Sequence, residues 1–304
     1  MGKSLLQLVQ KVTGELGLVI PTAVAGNTSQ DIIQIAALMN AVGDESQAKF
    51  CWQALDTEYR FTTAYQQIAG NTTNGSPIVS GLASTAGILP GTFMVTGLGV
   101  PQDCYVLSVD SVSQVTLNQN ATVTATGSQI VFAQTKYTMP ADYDRLIDRT
   151  QWDKSKHWEM LGPESPQQWQ WIKSGYIATG PRVRWRVLGG YFQVWPALNT
   201  SEYLGLEYTS KYWARDATGT PKDALTQDTD TSIFSDRMMV IGTKLKYFEI
   251  KGFDTTALKR DFDSEFDIRM ATEQGGATLS MAPRLSQVLV GPENTPDSGY
   301  GFPG

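Results

Sequence analysis

Between Asn71 and Gln134 the chain carries only two charged residues, Asp103 and Asp110, and no tryptophan, while Ser, Thr, Gly and Val dominate. Such a stretch is either a low-complexity linker or a small β-domain. Turn signals recur around short β-prone runs, namely Ile78-Val79, Phe93-Met94-Val95, Tyr105-Val106-Leu107, Val115-Thr116-Leu117 and Ile130-Val131-Phe132, and they favour the domain. The expectation is a β-sandwich or small β-barrel module inserted at 71–134. Its flanks, Tyr59 to Ala64 and Lys136 to Met139, could pair as one hairpin from which the module projects. The host is then discontinuous, made of residues 1–70 and 135–283.

On either side the patterning changes to helical. Leu5, Val9, Val12 and Leu16 recur at helical spacing with Gln7, Gln10, Lys11 and Glu15 between them, which favours a two-sided helix over a cleaved secretory signal. Ser29 can cap a second helix with Ile32, Ile35, Ala36, Met39 and Val42 on one face, a pattern that can continue through Phe50 and Trp52. Ser165-Pro166 opens a short helix through Lys173. Arg182 to Val187 alternates, turns at Gly189-Gly190 and returns as Tyr191 to Trp195, a hairpin that a third strand near Tyr203 to Ser210 would complete as a sheet. Asp236 caps a helix ended by Gly252, and Asp254 or Thr255 opens another ended by Gly275-Gly276. The expected fold is therefore α+β: a helical-bundle host domain with a small antiparallel sheet, the inserted β-module, and an extended C-terminal arm at 284–304 that is rich in Pro, Gly and Ser.

Charge and composition exclude several function classes. Lysine and arginine total 24 against 30 aspartates and glutamates, a balance of −6, so contact with nucleic-acid phosphates should be weak and transient. Two cysteines read as reduced residues rather than a disulfide framework. No apolar run approaches the ~18 to 20 residues that span a bilayer, so no membrane anchor is expected.

The search for chemistry ends the same way. A single histidine, His157, removes two-histidine metal motifs, and no cysteine cluster offers zinc a tetrahedral shell. Gly175 to Gly180 has the glycine spacing of a P-loop, but Pro181-Arg182 stands where Lys-Ser/Thr must meet phosphate and magnesium. Gly97-Leu-Gly99 lacks the third glycine of a dinucleotide site, and no GxSxG elbow occurs. Carboxylates cluster at Asp142, Asp144 and Asp148 and again at Asp228 and Asp230, without the spacing of a calcium loop. Alternation with Arg145 and Arg149 suggests ion pairs in the first, and turn formation suffices for the second. No catalytic, cofactor or metal site is expected. Arg182, Arg184 and Arg186 line one face of a strand and suit a subunit interface or a channel wall, with a neighbouring acidic subunit favoured over DNA phosphates. Seven of the eight tryptophans lie between Trp152 and Trp213, where packing explains them better than sugar binding.

Four runs carry a resemblance: Ser4-Leu-Leu-Gln-Leu-Val-Gln10, Pro140-Ala-Asp-Tyr-Asp-Arg-Leu-Ile-Asp-Arg149, Gly162-Pro-Glu-Ser-Pro-Gln-Gln-Trp-Gln-Trp171 and Gly180-Pro-Arg-Val-Arg-Trp185. Together they resemble the head-to-tail connectors, or adaptors, of tailed bacteriophages, which dock under the portal ring. The resemblance covers the host domain and contains no catalytic motif. It implies a structural, non-enzymatic protein of the virion neck, assembled in the bacterial cytoplasm as a homo-oligomeric ring of about twelve copies. The implied partners are the portal protein above and a tail or nozzle protein below. At −6 per copy such a ring would carry roughly −72, repelling DNA in transit rather than gripping it. Portal binding is expected from the C-terminal arm through Arg284, Leu285, Val288, Leu289, Tyr300 and Phe302. The alternative is a carbohydrate- or receptor-binding virion protein that uses the β-module or exposed tryptophans, Trp195 among them.

Overall fold

The computed structural model describes residues 2–174 and 182–273. Its helices are α1 (Leu5–Leu16), α2 (Gln30–Lys49), α3 (Pro166–Lys173), α4 (Asp236–Lys251) and α5 (Thr256–Glu273). The first strands are β1 (Asp56–Thr62), β2 (Tyr65–Thr72), β3 (Ile78–Ser80), β4 (Phe93–Gly97), β5 (Cys104–Ser111), β6 (Gln114–Leu117) and β7 (Ala125–Gln134). They are followed by β8 (Lys136–Thr138), β9 (Tyr143–Leu146), β10 (Trp152–Asp153), β11 (Trp158–Glu159), β12 (Arg184–Leu188) and β13 (Tyr191–Trp195). The last are β14 (Tyr203–Ser210), β15 (Ala214–Arg215), β16 (Pro221–Lys222) and β17 (Thr231–Ser232). The chain divides into two compact units. One draws on Met1–Thr57, Ala141–Leu146 and the described part of Tyr208–Arg284, the other on Glu58–Pro140 and Ile147–Glu207.

In the first unit α1, α2, α4 and α5 bury their apolar stripes on one another. Ser4 starts α1 with a capping box: its hydroxyl accepts from the Gln7 amide at 3.4 Å while the Gln7 side chain accepts from the Ser4 amide at 3.1 Å, satisfying two otherwise orphaned donors. Helix α2 stops at Lys49, short of the expected Phe50 and Trp52. Phe50 turns extended, and Trp52 folds back so that its indole donates to the Ser46 carbonyl at 2.7 Å. Ser235, rather than Asp236, caps α4, because its hydroxyl reaches the Met238 amide, while the Asp236 carboxylate accepts instead from the Lys3 amide at 2.9 Å. Gly252 ends α4 in the left-handed conformation. Trp213 sits in the middle of this core. Its Nε1 donates to Asp44 at 2.8 Å, Phe234 stacks on it, and Gly43 of α2 lies against its face.

The second unit contains a closed barrel of six strands in the order β2-β3-β6-β5-β4-β7, with β7 pairing to β2 on one side and β4 on the other. Closure leaves no unpaired strand edge. Alternating residues point inward, so Val79, Phe93, Val95, Val106, Leu117, Ile130 and Phe132 fill the interior and the Ser- and Thr-rich positions face outward. Beside it lie the sheet β12-β13-β8 and the helix α3, whose Trp169 and Ile172 pack with Met94 and Trp195.

Several expectations are corrected. The host is not a helical bundle: among the described residues strand (31%) slightly exceeds helix (29%), with a closed six-stranded barrel the largest sheet. Besides the longer β1, β12, β13 and β14, the stretches between the helices hold the strands β8 to β11 and β15 to β17 of two to four residues, too short to display a period of two. The module starts at Tyr65 rather than Asn71. The flanking segments do not pair with each other, since β1 neighbours β14 and β8 pairs with β13. It is β8, not the Tyr203 to Ser210 strand, that completes the sheet of the Gly189-Gly190 hairpin. The segments 1–70 and 135–283 contribute to both units. The expected helix end at Gly275-Gly276 lies outside the described residues.

A Cβ at Gly43 would stand 2.2 Å from a ring carbon of Trp213. Gly43→Ala should therefore lower stability by ~1–3 kcal/mol through overpacking. Gly14→Ala, whose Cβ would meet nothing within 4 Å on the exposed side of α1, should raise it by ~0.5–1 kcal/mol. Urea unfolding midpoints of the two variants should move in opposite directions.

Candidate functional site

The proposed portal-binding residues Arg284, Leu285, Val288, Leu289, Tyr300 and Phe302 lie outside the described residues. The arginine ladder lies within them, and its three members differ. A short parallel contact places the 161–164 segment beside β12: the Leu161 amide donates to the Val183 carbonyl at 2.8 Å and the Trp185 amide to the Leu161 carbonyl at 2.9 Å. Glu164 is thereby held against Arg184, and the two form a largely buried ion pair. Arg182 and Arg186 are half-buried, and the Nε atoms of Arg182 and Arg184 are buried without an acceptor among the described residues. Instead of three free cations in a row, the strand presents one neutralised arginine between two partly covered ones.

Both aspartate clusters are clamps on the backbone framework. Asp142 accepts from the Tyr208 hydroxyl at 2.8 Å and the Ser210 hydroxyl at 2.7 Å, and Asp144 accepts from Gln47 at 3.1 Å and pairs with Arg145 at 3.2 Å. Asp228 accepts from the amides of Val24 and Ala25, both at 2.8 Å. Asp230 is fully buried and accepts from the amides of Thr226 and Gln227 and from Lys222. Burial works to raise its pKa, but Lys222 and the two amides together hold the carboxyl below the usual range. His157 is exposed, on a turn where its backbone takes a positive φ of 56°. Among the described residues no three His, Cys, Asp or Glu side chains gather as a metal ion would require. No described helix is long and apolar enough to cross a membrane.

Of the tryptophans offered to a ligand, Trp195 is buried at 6% exposure and packs with Met94 and Trp169. Trp171 is the exposed one, at 56%. Trp195 is therefore not an exposed stacking surface of the kind the carbohydrate-binding alternative would use.

A carboxyl group pushed strongly upward was not legible in the sequence. Asp153 of β10 and Glu202, just before β14, are each 2% exposed, and each keeps one carboxylate oxygen with no partner other than the facing acid. Their other oxygens are satisfied. Asp153 accepts from the amides of Ser155 and Lys156, and Glu202 accepts from the Thr200 hydroxyl at 2.8 Å and pairs with Lys156. The two residues meet because β10 pairs with β14, Asp153 opposite Leu204. Burial first, and then the hydrogen bond and charge of Glu202, push the Asp153 carboxyl up to about 6. Burial also works against ionisation of Glu202, but Lys156, Asp153 and Thr200 hold it below its ordinary value. One proton is thus shared, residing on Asp153. Both groups are closed to solvent, so the pair is a pH-sensitive fastener rather than a catalytic dyad.

Neither a scan against protein-family models nor a search of curated proteins gave a match for this chain.

The sign of the pH effect follows from the raised Asp153 value. Its contribution is fully present below the unfolded carboxyl range and is lost as pH rises through about 6. The depressed Glu202 contributes in the opposite sense and is lost only at lower pH. Thermal midpoints should fall as pH is raised from roughly 5 to 7. Asp153→Asn keeps a hydrogen-bond donor towards Glu202 without the titration and should flatten that fall; a variant as steep as the parent would remove the pair as its source.

Proposed function

We propose that the chain is a structural subunit of a tailed-phage virion, forming a ring of about twelve copies that joins portal to tail and leaves a channel for DNA. The observation that carries this reading is the outward face of α5. Of eighteen residues this helix buries only Phe262, Glu265 and Phe266. Arg260, Asp261 and Asp267 remain exposed on the side of the helix that carries Ile268, itself 53% exposed. A face with both signs of charge about an apolar centre suits a head-to-tail contact between copies, in which one subunit's basic group meets the next one's acid.

The runs that resemble the connector family supply further support. Asp142, Asp144, Glu164, Trp169 and Trp185 hold loops, pair a buried arginine or fill core, so the resemblance concerns the scaffold itself. The acidic total of −6 accords with a conduit that DNA passes without sticking. In this reading the protein works without chemistry, in the head–tail neck, with portal above and a tail protein below. The carbohydrate-binding alternative retains Trp171 as its exposed indole, and a glycan screen that found binding lost on Trp171→Ala would favour it.

Mixing the purified chain with its portal ring should give a complex with about twelve copies, counted by native mass spectrometry. A chain that stays monomeric and ignores portal would sink the proposal. Ile268→Asp should prevent ring formation while leaving the circular dichroism spectrum unchanged. Removing residues 284–304 should weaken portal binding at least about tenfold if the arm supplies the anchor.

A further inference from the structure

In the second unit a small cavity of about 70 Å³ opens where the barrel, α3 and the sheet β12-β13-β8 come together. It lies at the rim of the small core made by Met94, Trp169, Ile172 and Trp195, and its polar lining comes from Asp103, Tyr105, Lys136, Trp169, Lys173 and Gln193. Sheet register explains two of these: Lys136 of β8 stands opposite Gln193 of β13. An ion pair of 3.0 Å between Lys173 of α3 and Asp103 of the barrel closes one side.

The donors and acceptors around this cavity do not balance. Lys173 has Asp103. Lys136 is half-buried, rests over the Tyr105 ring with its ammonium 5.4 Å from the centroid, and has no ion-pair or hydrogen-bond partner among the described residues, feeling the Asp103 carboxylate only at longer range. Burial, and then the charge of Lys173, hold its pKa below the ordinary lysine value. Trp169 is 1% exposed, and its indole N–H is buried with no acceptor among the described residues. Two ammonium groups face one carboxylate, and two donors, one of them fully buried, lack an oxygen to meet. An unpaired buried donor is costly, and an unpaired buried charge more so.

The geometry points to a binding site for a small oxyanion, of carboxylate or phosphate size, held by the Lys136 ammonium and the Trp169 indole N–H with Lys173 alongside. The size fits: one water takes about 30 Å³ of the liquid, so the cavity admits a group of a few heavy atoms and no sugar ring. An anion there would restore the charge balance and give each orphaned donor an acceptor, in a setting where charge-assisted hydrogen bonds are strong. The site stands independently of ring assembly, because all of its residues belong to one unit of one chain.

The test is calorimetric titration of the full chain with sodium phosphate and, separately, sodium acetate, against chloride at the same ionic strength. One site per chain for either anion is expected. Tighter phosphate binding would identify a free inorganic or ester phosphate, and tighter acetate binding a carboxylate such as a peptide supplies. Lys136→Met should weaken binding at least about tenfold, as expected for a lost hydrogen bond to a charged group. Trp169→Phe, which removes the N–H and keeps a ring, should weaken it several-fold and serves if the lysine variant fails to fold. Lys11→Met, at an exposed position on α1, should change nothing. Binding of neither anion overturns the site, as does equal weakening by Lys11→Met and Lys136→Met, which would mean a diffuse surface effect.

Discussion

The indole of Trp213 is the piece on which the helical unit depends. It is 1% exposed, hydrogen-bonded through its one polar atom to Asp44, and seated against a glycine that leaves no room for a methyl group. Phe234 stacks on it, and Trp52 meets Phe234 and Phe266 edge-on, so one aromatic chain links α2, the start of α4 and α5. Close packing of this kind tolerates little change in volume. The backbone clamps at Asp228 and Asp230 serve the same core from outside, fixing the 24–25 loop and the start of α1 to the segment that leads into α4.

The second unit is held by different means. Its barrel has almost no charge because it needs none: closure satisfies the strand edges, the interior is apolar, and hydroxyl side chains suffice outside. Charge reappears around the barrel, in the Arg184–Glu164 pair, in the Lys173–Asp103 pair and in the buried acids Asp153 and Glu202. These groups fasten short strands that have too few ladder bonds to hold themselves. Sharing a proton is the low-cost arrangement for two buried carboxyl groups, since neither has to be buried as a second unpaired charge.

The ring role proposed above would draw on both modes. A tightly packed helical core gives a rigid body, and the thinly buried α5 leaves a broad mixed-charge surface for neighbours. The aspartates of the two clusters and most of the tryptophans serve the framework itself. Trp171 and the small anion-sized cavity are the places where an exposed indole and unpaired donors are open to a ligand.

Local physics was readable from the chain alone. The cap at Ser165, the apolar stripes of α1 and α2, the left-handed stop at Gly252, the glycine turn of the β12–β13 hairpin and the charge-poor β-rich stretch all depend on residues within four positions of one another, or on composition. Pairing did not. Asp153 with Glu202, Arg184 with Glu164, Trp213 with Gly43 and Lys136 with Trp169 become neighbours only when distant segments meet, and β10 and β8, which carry Asp153 and Lys136, are two and three residues long. A strand that short shows no period, and a charged residue bound for a buried partner looks in sequence like one bound for solvent. The sequence therefore determined which segments turn, coil or alternate, whereas the tertiary structure decided which charges are satisfied, which tryptophans are covered and where an anion could sit, because burial is a property of the assembled chain.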